Sequence, residues 1–322
     1  MNIGPIFDLV ADDLRKLEAT LDDVASVDHP IFTELLRHIL RGRGKRLRPT
    51  IGFLVARMAK GDLALCLPMA VAVELLHTAT LVHDDLVDNS LVRRGSPTLN
   101  AIASQGVTVL VGDYMFACSA DFANRCRNLA VMDVVAKTAM VICAGELHQV
   151  FSSGDLRQAV DEYYRQIESK TASLFAATTE CAGILSNLTA AEVAELRNYG
   201  RCLGMAFQIA DDILDFVGDE KVLGKPVGSD LRQGVLTLPT LYALQSQAVG
   251  DRILSLLEAE GDREANVRQA VQLVRQSSAI EASYETAADF VRRAKASLAG
   301  FADSPYRAAL LTLADYAVSR EH

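Results

Sequence analysis

Apolar residues recur at helical spacing along most of this chain. In residues 6–26, apolar side chains follow one another at intervals of three or four positions, the period of an amphipathic α-helix. Residues 50–60 and 66–89 are apolar almost throughout, which predicts helices buried on most sides. The predicted helices are 6–26, 30–41, 50–60, 66–89, 99–104, 107–126, 129–151, 155–182 and 189–218, followed by a loop over 218–235 and less sharply bounded helices over 238–320.

Proline and strand signals agree with this helical pattern. The chain has 8 prolines among 322 residues, and none lies between Pro97 and Pro226. Because proline interrupts helices, this gap favours long ones. The sequence contains no long alternation of β-branched residues and no Asn-Gly or Asp-Gly pair that would start a hairpin. We therefore expect an all-α protein. Since no linker or low-complexity segment divides the chain, we expect a single domain over residues 1–322.

Charge and cysteine content narrow the function classes. With 41 acidic residues against 32 Lys and Arg, the formal net charge is −9. This argues against non-specific nucleic-acid binding, which needs a basic surface. The 6 cysteines are scattered without a Cys-x-x-Cys pair, so we expect reduced core thiols in a cytoplasmic protein. Neither a membrane span nor a signal peptide is expected, because long uncharged apolar stretches are missing and the N-terminus is acidic.

Two acidic clusters of the form Asp-Asp-x-x-Asp interrupt apolar helical sequence. They consist of Asp84, Asp85 and Asp88, and of Asp211, Asp212 and Asp215. Carboxylates one turn apart repel each other by about 0.2–0.5 kcal/mol per pair, and burying one without a partner costs more. Mg²⁺ resolves this conflict, because it takes one or two carboxylates and keeps positions for water and phosphate oxygens. A solvated acidic face explains one such cluster, but two identical clusters in apolar helices favour a metal site.

Basic residues accompany both clusters. They are Lys45, Arg46 and Arg48 in an early glycine-punctuated loop, Arg93 and Arg94 after the first cluster, and Lys225 after the second. Arginine binds phosphate oxygens bidentately, and lysine binds them as a point charge. Carboxylate clusters with separated cations are typical of diphosphate binding.

In this combination the sequence resembles the trans-polyprenyl diphosphate synthases, the head-to-tail isoprenyl diphosphate synthases. The resemblance extends from about Gly42 to Arg320. Its segments are Gly44-Lys45-Arg46-Leu47-Arg48-Pro49, Glu74-Leu75-Leu76-His77, Asp84-Asp85-Leu86-Val87-Asp88, Arg93-Arg94-Gly95, Gly112-Asp113-Tyr114, Gly145-Glu146, Lys170-Thr171, Phe207-Gln208, Asp211-Asp212-Ile213-Leu214-Asp215 and Gly224-Lys225.

The resemblance implies a bundle of about a dozen helices around a deep central cavity, usually in a homodimer. It implies that an allylic prenyl diphosphate condenses with isopentenyl diphosphate, with about three Mg²⁺ ions on the allylic diphosphate. The products of such enzymes serve as quinone side chains and other isoprenoids.

The resemblance also assigns roles to individual residues. The metal ligands would be Asp84, Asp88 and Asp211, with Asp85, Asp212 and Asp215 as further ligands or supports. The allylic diphosphate would contact Arg93, Lys170 and Lys225, and the diphosphate of isopentenyl diphosphate would contact Lys45, Arg48, His77 and Arg94. The reacting carbons would lie beside Thr171 and Gln208, and a C-terminal Arg320 would close over the site. Val235 stands where the family commonly has a lysine, and Arg232 is a candidate replacement for that cation.

Product length depends on the cavity below Asp84. Helix geometry places Thr80 one turn away on the same face, with Ala79 beside it. In short-chain members of the family a bulky aromatic residue there blocks growth. Both residues are small here, so we expect a medium or long product of about C30 to C50, with geranylgeranyl (C20) or farnesyl diphosphate as the alternatives. Leu76, Ala139 and Ile142 are candidate floor residues.

Three other functions are alternatives to prenyl-chain elongation. A class I terpene cyclase shares the fold type and the first cluster, but it does not use a second Asp-Asp-x-x-Asp cluster or a second diphosphate loop. A non-catalytic partner subunit usually loses one cluster, and both are intact here. A helical metal-binding structural protein leaves the paired basic loops unexplained.

Overall fold

The computed structural model describes residues 3–41, 44–93, 95–152, 156, 159–218 and 227–319. The α-helices in the first half are α1 (Gly4–Asp8), α2 (Ala11–Val24), α3 (Pro30–Leu40), α4 (Leu47–Met58), α5 (Leu63–Val87), α6 (Leu99–Ile102), α7 (Gln105–Arg125) and α8 (Leu129–Ser152). Those that follow are α9 (Val160–Ile167), α10 (Ser173–Leu185), α11 (Ala190–Val217), α12 (Ser229–Arg232), α13 (Leu238–Leu244), α14 (Gln247–Glu258), α15 (Arg263–Gln276), α16 (Ala279–Ser297) and α17 (Pro305–Val318). The all-α prediction is confirmed.

Three local features differ from the sequence-based expectation. The helix predicted over 6–26 is broken between α1 and α2. The helix predicted over 155–182 contains a π-helical segment, π1 (Glu168–Ala172), between α9 and α10. A short antiparallel hairpin also forms between β1 (Val92–Arg93) and β2 (Ser96–Pro97). It turns at Gly95, whose φ of +76° suits glycine, and it forms without the Asn-Gly or Asp-Gly pair that commonly starts a hairpin.

The core is one continuous hydrophobic cluster that includes residues from Ile6 to Ala317. Its central helix, α5, packs most extensively against α7, and α11 packs against both α10 and α16. Ser119 of α7 donates a 2.8 Å hydrogen bond to the carbonyl oxygen of Ala72 on α5. By length and composition α5 could cross a membrane, but 67% of its most apolar window is buried inside the bundle. All 6 cysteines are free thiols, and four of them are buried.

Local sequence explains where the second cluster lies. Helix α11 begins with a capping box, in which the Thr189 hydroxyl accepts from the Glu192 amide and the Glu192 carboxylate accepts from the Thr189 amide. Such reciprocal bonds satisfy amides that the first helical turn leaves without partners. The helix then runs without interruption to Val217, and Asp211, Asp212 and Asp215 lie in its last two turns.

Candidate active site

The first acidic cluster lies at the C-terminal end of α5, where Lys170 approaches it from π1. Asp84 is largely buried, with 15% of its side chain exposed. The Lys170 Nζ lies 3.9 Å from Asp84 Oδ2 and 2.9 Å from Glu146 Oε1 on α8. Burial raises the pKa of Asp84 to about 7, with Lys170 opposing this and Glu146 and Asp88 adding to it. Lys170 therefore lies among carboxylates that outnumber it.

The second cluster is joined to π1 by a chain of hydrogen bonds. Thr171 Oγ1 donates to Gln208 Oε1 at 2.7 Å, and Gln208 Nε2 donates to Asp212 Oδ1 at 2.8 Å. The hydroxyl of Tyr163 donates to the other oxygen, Asp212 Oδ2, at 2.6 Å. Burial raises the pKa of Asp212 well above its usual value, and the charge of Asp230 raises it further. The chain fixes the orientation of the Gln208 amide.

Two consecutive residues of π1 thus reach the two clusters. Lys170 contacts Asp84 on α5, and Thr171 contacts Gln208 one turn before Asp212 on α11. The π-helix therefore places the two acidic clusters on either side of one site. π-Helical segments are rare and are frequent at functional sites.

The remaining aspartates differ in their surroundings. Arg93 of β1 donates to Asp85 Oδ1 at 2.8 Å. Burial raises the pKa of Asp85, and the charge of Arg93 partly offsets that effect. Asp215 is buried and accepts a 3.1 Å hydrogen bond from the amide of Asp230. Asp88 is exposed and Asp211 is half-buried, so both carboxylates are accessible from the site.

The basic segment at the start of α4 contains one anchoring arginine and two further cations. Arg46 is the anchor, because its guanidinium donates to Glu74 on α5 and to Glu18 on α2, at 2.7 Å in each case. Lys45 Nζ donates to the Tyr316 hydroxyl of α17 at 3.0 Å. The Arg48 guanidinium stacks 4.4 Å from the centre of the Phe175 ring. This is a typical cation–π separation.

Sequence comparison identifies the family. Residues 29–274 match the profile of the polyprenyl synthetase family. The chain belongs to this family. It is 36% identical to heptaprenyl diphosphate synthase component 2 of Geobacillus stearothermophilus over 100% of both chains. It is 35% identical to octaprenyl diphosphate synthase of Escherichia coli K12, again over 100% of both.

The fold agrees with a solved member of the family. The structure of polyprenyl synthase from Caulobacter crescentus CB15, complexed with calcium and isoprenyl diphosphate, superposes with a TM-score of 0.91. It is 36% identical in sequence and covers 100% of this chain and 98% of its own. The resemblance inferred from the sequence is therefore confirmed at the level of family and fold.

Within this polyprenyl synthetase fold, the structure separates the two residues expected to set product length. Thr80 keeps partial solvent access and donates to the carbonyl oxygen of His77 at 2.7 Å, on the face that carries Asp84. Ala79 and Leu76 are 0% and 1% exposed. They lie at helical spacing between Ala72 and His83, which both contact α7. Ala79 and Leu76 therefore lie on the face of α5 that packs toward α7, whereas Thr80 lies on the Asp84 face, and the role of all three in product length stays a prediction.

The structure also bears on the other cations that the sequence predicts for diphosphate binding. Arg94, Lys225 and Arg320 lie outside the described residues. Arg232 donates to Glu264 of α15 at 3.1 Å and to the carbonyl oxygen of Val227. These bonds hold the Arg232 guanidinium against α15, and its role as the cation that replaces the family lysine at Val235 stays a prediction.

Two site residues were missed at the level of sequence. Glu146 belongs to a motif that resembles the family but had no assigned role, and Tyr163 was not singled out. No local sequence pattern marks Tyr163, because its bond to Asp212 depends on how α9 packs against α11.

A second groove lies apart from the site. A groove of about 700 Å³ lies on the outer side of π1, between α8, α9 and α10. Its charged residues already pair with one another, as in Arg201 with Glu168 at 2.6 Å and Arg197 with Glu180 at 3.3 Å. Neither acidic cluster lines it.

Proposed function

We propose that this protein is a prenyltransferase that condenses an allylic diphosphate with isopentenyl diphosphate in a Mg²⁺-dependent reaction. Repeated 1′-4 trans elongation produces a medium or long polyprenyl diphosphate of about C30 to C50 for isoprenoid and quinone biosynthesis. One observation carries the proposal: from a single π-helical segment, Lys170 contacts Asp84 of the first acidic cluster and the adjacent Thr171 is linked through Gln208 to Asp212 of the second. The relatives named as heptaprenyl and octaprenyl diphosphate synthases support the reaction class.

The donor atoms of the site fit Mg²⁺. Asp84 and Asp88 present carboxylate oxygens from α5, and Asp211 presents them from α11. Such oxygens are the protein ligands that Mg²⁺ prefers. Among the described residues, no group of three or more His, Cys, Asp or Glu side chains is arranged to hold a metal ion. An ion held by these residues would complete its ligands with water and substrate phosphate, and it would stabilise negative charge on the leaving diphosphate.

The protein's own groups act on both substrates. Lys170 and Arg93 stabilise the allylic diphosphate as its C1–O bond breaks. Lys45, Arg48 and His77 hold the diphosphate of isopentenyl diphosphate, whose double bond attacks the allylic C1. The new C–C bond forms between the allylic C1 and the terminal carbon of that double bond, and the released diphosphate accepts the proton that the isopentenyl unit then loses. The Thr171 hydroxyl donates to the Gln208 carbonyl, and in this proposal the oxygen atoms of this pair stabilise the cationic carbons.

Removal of the metal tests the reaction class. The protein with Mg²⁺, an allylic primer and radiolabelled isopentenyl diphosphate is expected to form extractable prenyl diphosphates. EDTA is expected to reduce this below about one thousandth, and excess Mg²⁺ to restore it. Elongation that persists in EDTA contradicts the proposed role of the metal. A cyclic hydrocarbon formed without incorporation of isopentenyl diphosphate supports a terpene cyclase instead.

Thr80 gives the sharper test of product length. Thr80→Tyr places a ring on the Asp84 face and is expected to shorten the main product to about C15–C20. Ala79→Phe enlarges a residue packed toward α7, so it is expected to cost about 1–3 kcal/mol of stability. Thin-layer chromatography of the dephosphorylated products and thermal unfolding measure the two effects. An unchanged product with Thr80→Tyr, or a shortened product with a fully stable Ala79→Phe, reverses this assignment.

We further propose a cytoplasmic homodimer. Apolar side chains are exposed on α7 and α8, including Leu110, Met140, Leu147 and Phe151. An apolar surface of this kind is typical of a protein–protein interface. A second copy covers it in this proposal, and sedimentation velocity measures the state directly. Six free thiols support a reducing compartment.

A further inference from the structure

We infer that Gly145 on α8 and Gly204 on α11 are positioning residues that hold π1 between them, so that Lys170 and Thr171 face the site. This inference rests on the proposed function. It assigns a physical task to Gly145, which belongs to a family-like motif without an assigned role.

The direction of both side chains depends on the π-helical register. Residues 160–185 form one helical run in which π1 interrupts the α-helical pattern. Each residue of an α-helix turns the chain by about 100°, so a change of register by one residue would redirect Lys170 and Thr171 by that angle. A π segment inside an α-helix therefore needs neighbours that stabilise it.

Gly145 allows α8 to approach the first half of π1. A Cβ added at Gly145 would lie 2.6 Å from the Cβ of Ser169 and 3.9 Å from the backbone nitrogen of Lys170. The first distance is far below a normal carbon–carbon contact of about 3.5–4.0 Å. The Ser169 Cβ is rigidly attached to the backbone, so it cannot turn away. Any side chain at position 145 must displace π1 beside Lys170.

Gly204 allows α11 to approach the second half of π1. A Cβ added at Gly204 would lie 2.6 Å from the Cα of Ala172 and 3.0 Å from its Cβ. Ala172 follows Thr171, whose hydroxyl donates to Gln208, one turn further along α11. A side chain at position 204 therefore pushes Thr171 away from its partner.

An ion pair fixes the start of the same segment. Arg201 of α11 donates from Nε and Nη2 to the two carboxylate oxygens of Glu168, at 2.6 Å and 2.7 Å. Bidentate arginine–carboxylate pairs impose a defined geometry. Glu168 is the first residue of π1. Two glycine contacts and one ion pair therefore determine the position of five residues.

Alanine at each glycine tests the inference through separate kinetic parameters. Gly145→Ala is expected to raise KM for the allylic diphosphate and to lower kcat, each about tenfold, because it moves Lys170. Gly204→Ala is expected to lower kcat about tenfold with KM within twofold, because it moves Thr171. Adding Ser169→Gly to Gly145→Ala removes the clashing Cβ, so the double variant is expected to recover the kinetics of Ser169→Gly alone.

Gly183→Ala is the matched control. Gly183 also lies where α10 meets α11, but an added Cβ there meets the flexible end of Leu196, at 2.9 Å. The Gly183→Ala variant is expected to change the stability of the protein and to leave kcat and KM within twofold of the wild-type values. If Gly145→Ala does not fold, Arg201→Gln loosens π1 without added bulk and is expected to lower kcat about fivefold.

These experiments distinguish a failure of the positioning role from a failure of the proposed prenyltransferase activity. A wild-type protein that does not elongate contradicts the proposed function. A wild-type protein that elongates beside a Gly145→Ala variant with unchanged kinetics contradicts only the positioning role. Loss of activity that Ser169→Gly does not recover, or equal loss in Gly183→Ala, also contradicts it. If Gly145→Ala is insoluble, an unchanged kcat in Arg201→Gln contradicts the positioning role.

Discussion

Lys170→Met is expected to lower kcat/KM for the allylic diphosphate by about 10²–10³-fold. The loss of one preorganised donor to a developing anion has an effect of this size. Lys170 Nζ lies 3.9 Å from Asp84 Oδ2 and 2.9 Å from Glu146 Oε1, so its charge is held where the diphosphate is proposed to bind. Burial lowers the pKa of Lys170, but Asp84 and Glu146 more than offset this, and the pKa remains above its usual value. The ammonium is therefore charged throughout the neutral range.

Lys295→Met is the matched control for this variant. Lys295 is similarly exposed, at 40% against 34% for Lys170, and it contacts Asp315 at 2.9 Å. Its pair joins α16 to α17, outside the π1 site. Steady-state kinetics of Lys295→Met are expected to stay within twofold of wild type.

A second substitution separates catalysis from stability. Lys170→Met leaves Asp84 and Glu146 without their shared cation, which destabilises the fold as well as the reaction. Adding Glu146→Gln removes one of the two charges and is expected to restore part of the melting temperature. It is not expected to restore kcat/KM. Full recovery of activity in the double variant, or near-wild-type activity in Lys170→Met, would show that the lysine has only a structural role.

The sequence was most informative where a pattern depends on one helix. Hydrophobic spacing predicted α3, α7, α8 and α11 to within about two residues, because burial of one face sets that spacing directly. The two aspartate clusters were found for the same reason. Each is local, and charge in an apolar helix conflicts with ordinary packing.

Features that depend on packing between helices could not be predicted. Ala79 and Thr80 are neighbours in sequence and differ by about 100° around α5. Only the packing against α7 shows that Ala79 faces the core and Thr80 faces the site. The π-helical segment has a similar origin, because its register depends on glycines of two other helices.

The three cations of the basic segment have different roles that the sequence does not distinguish. Lys45, Arg46 and Arg48 carry the same charge within four residues, and composition cannot distinguish their roles. The structure distinguishes them by burial. The Arg46 side chain is 11% exposed, and its partner Glu74 is 7% exposed. A motif expected to bind diphosphate thus contains one arginine that stabilises the fold.

Arg46→Leu is therefore expected to lower the free energy of unfolding by about 3–5 kcal/mol, because it leaves Glu74 buried without its cation. The Arg46 backbone is left-handed, with φ of +46°, and leucine keeps a Cβ there, so backbone strain stays similar. Burial by itself lowers the pKa of Arg46, while its bonds to Glu18 and the charge of Glu74 raise it above normal. Denaturant unfolding at one fixed protein concentration measures the loss, since the stability of the proposed dimer would depend on concentration.

The double variant Arg46→Leu/Glu74→Leu shows whether an uncompensated charge causes that loss. Apolar replacement of a whole buried ion pair is often neutral, so the double variant is expected to recover most of the stability. Arg292→Leu, which removes an exposed pair with Asp289, is the control and is expected to change stability by less than about 1 kcal/mol. If the double variant is no more stable than Arg46→Leu, the loss comes instead from the bonds to Glu18 and the Leu40 carbonyl oxygen. Arg46 would then stabilise the entry to α4 through those two contacts, and Glu74 would tolerate burial without it.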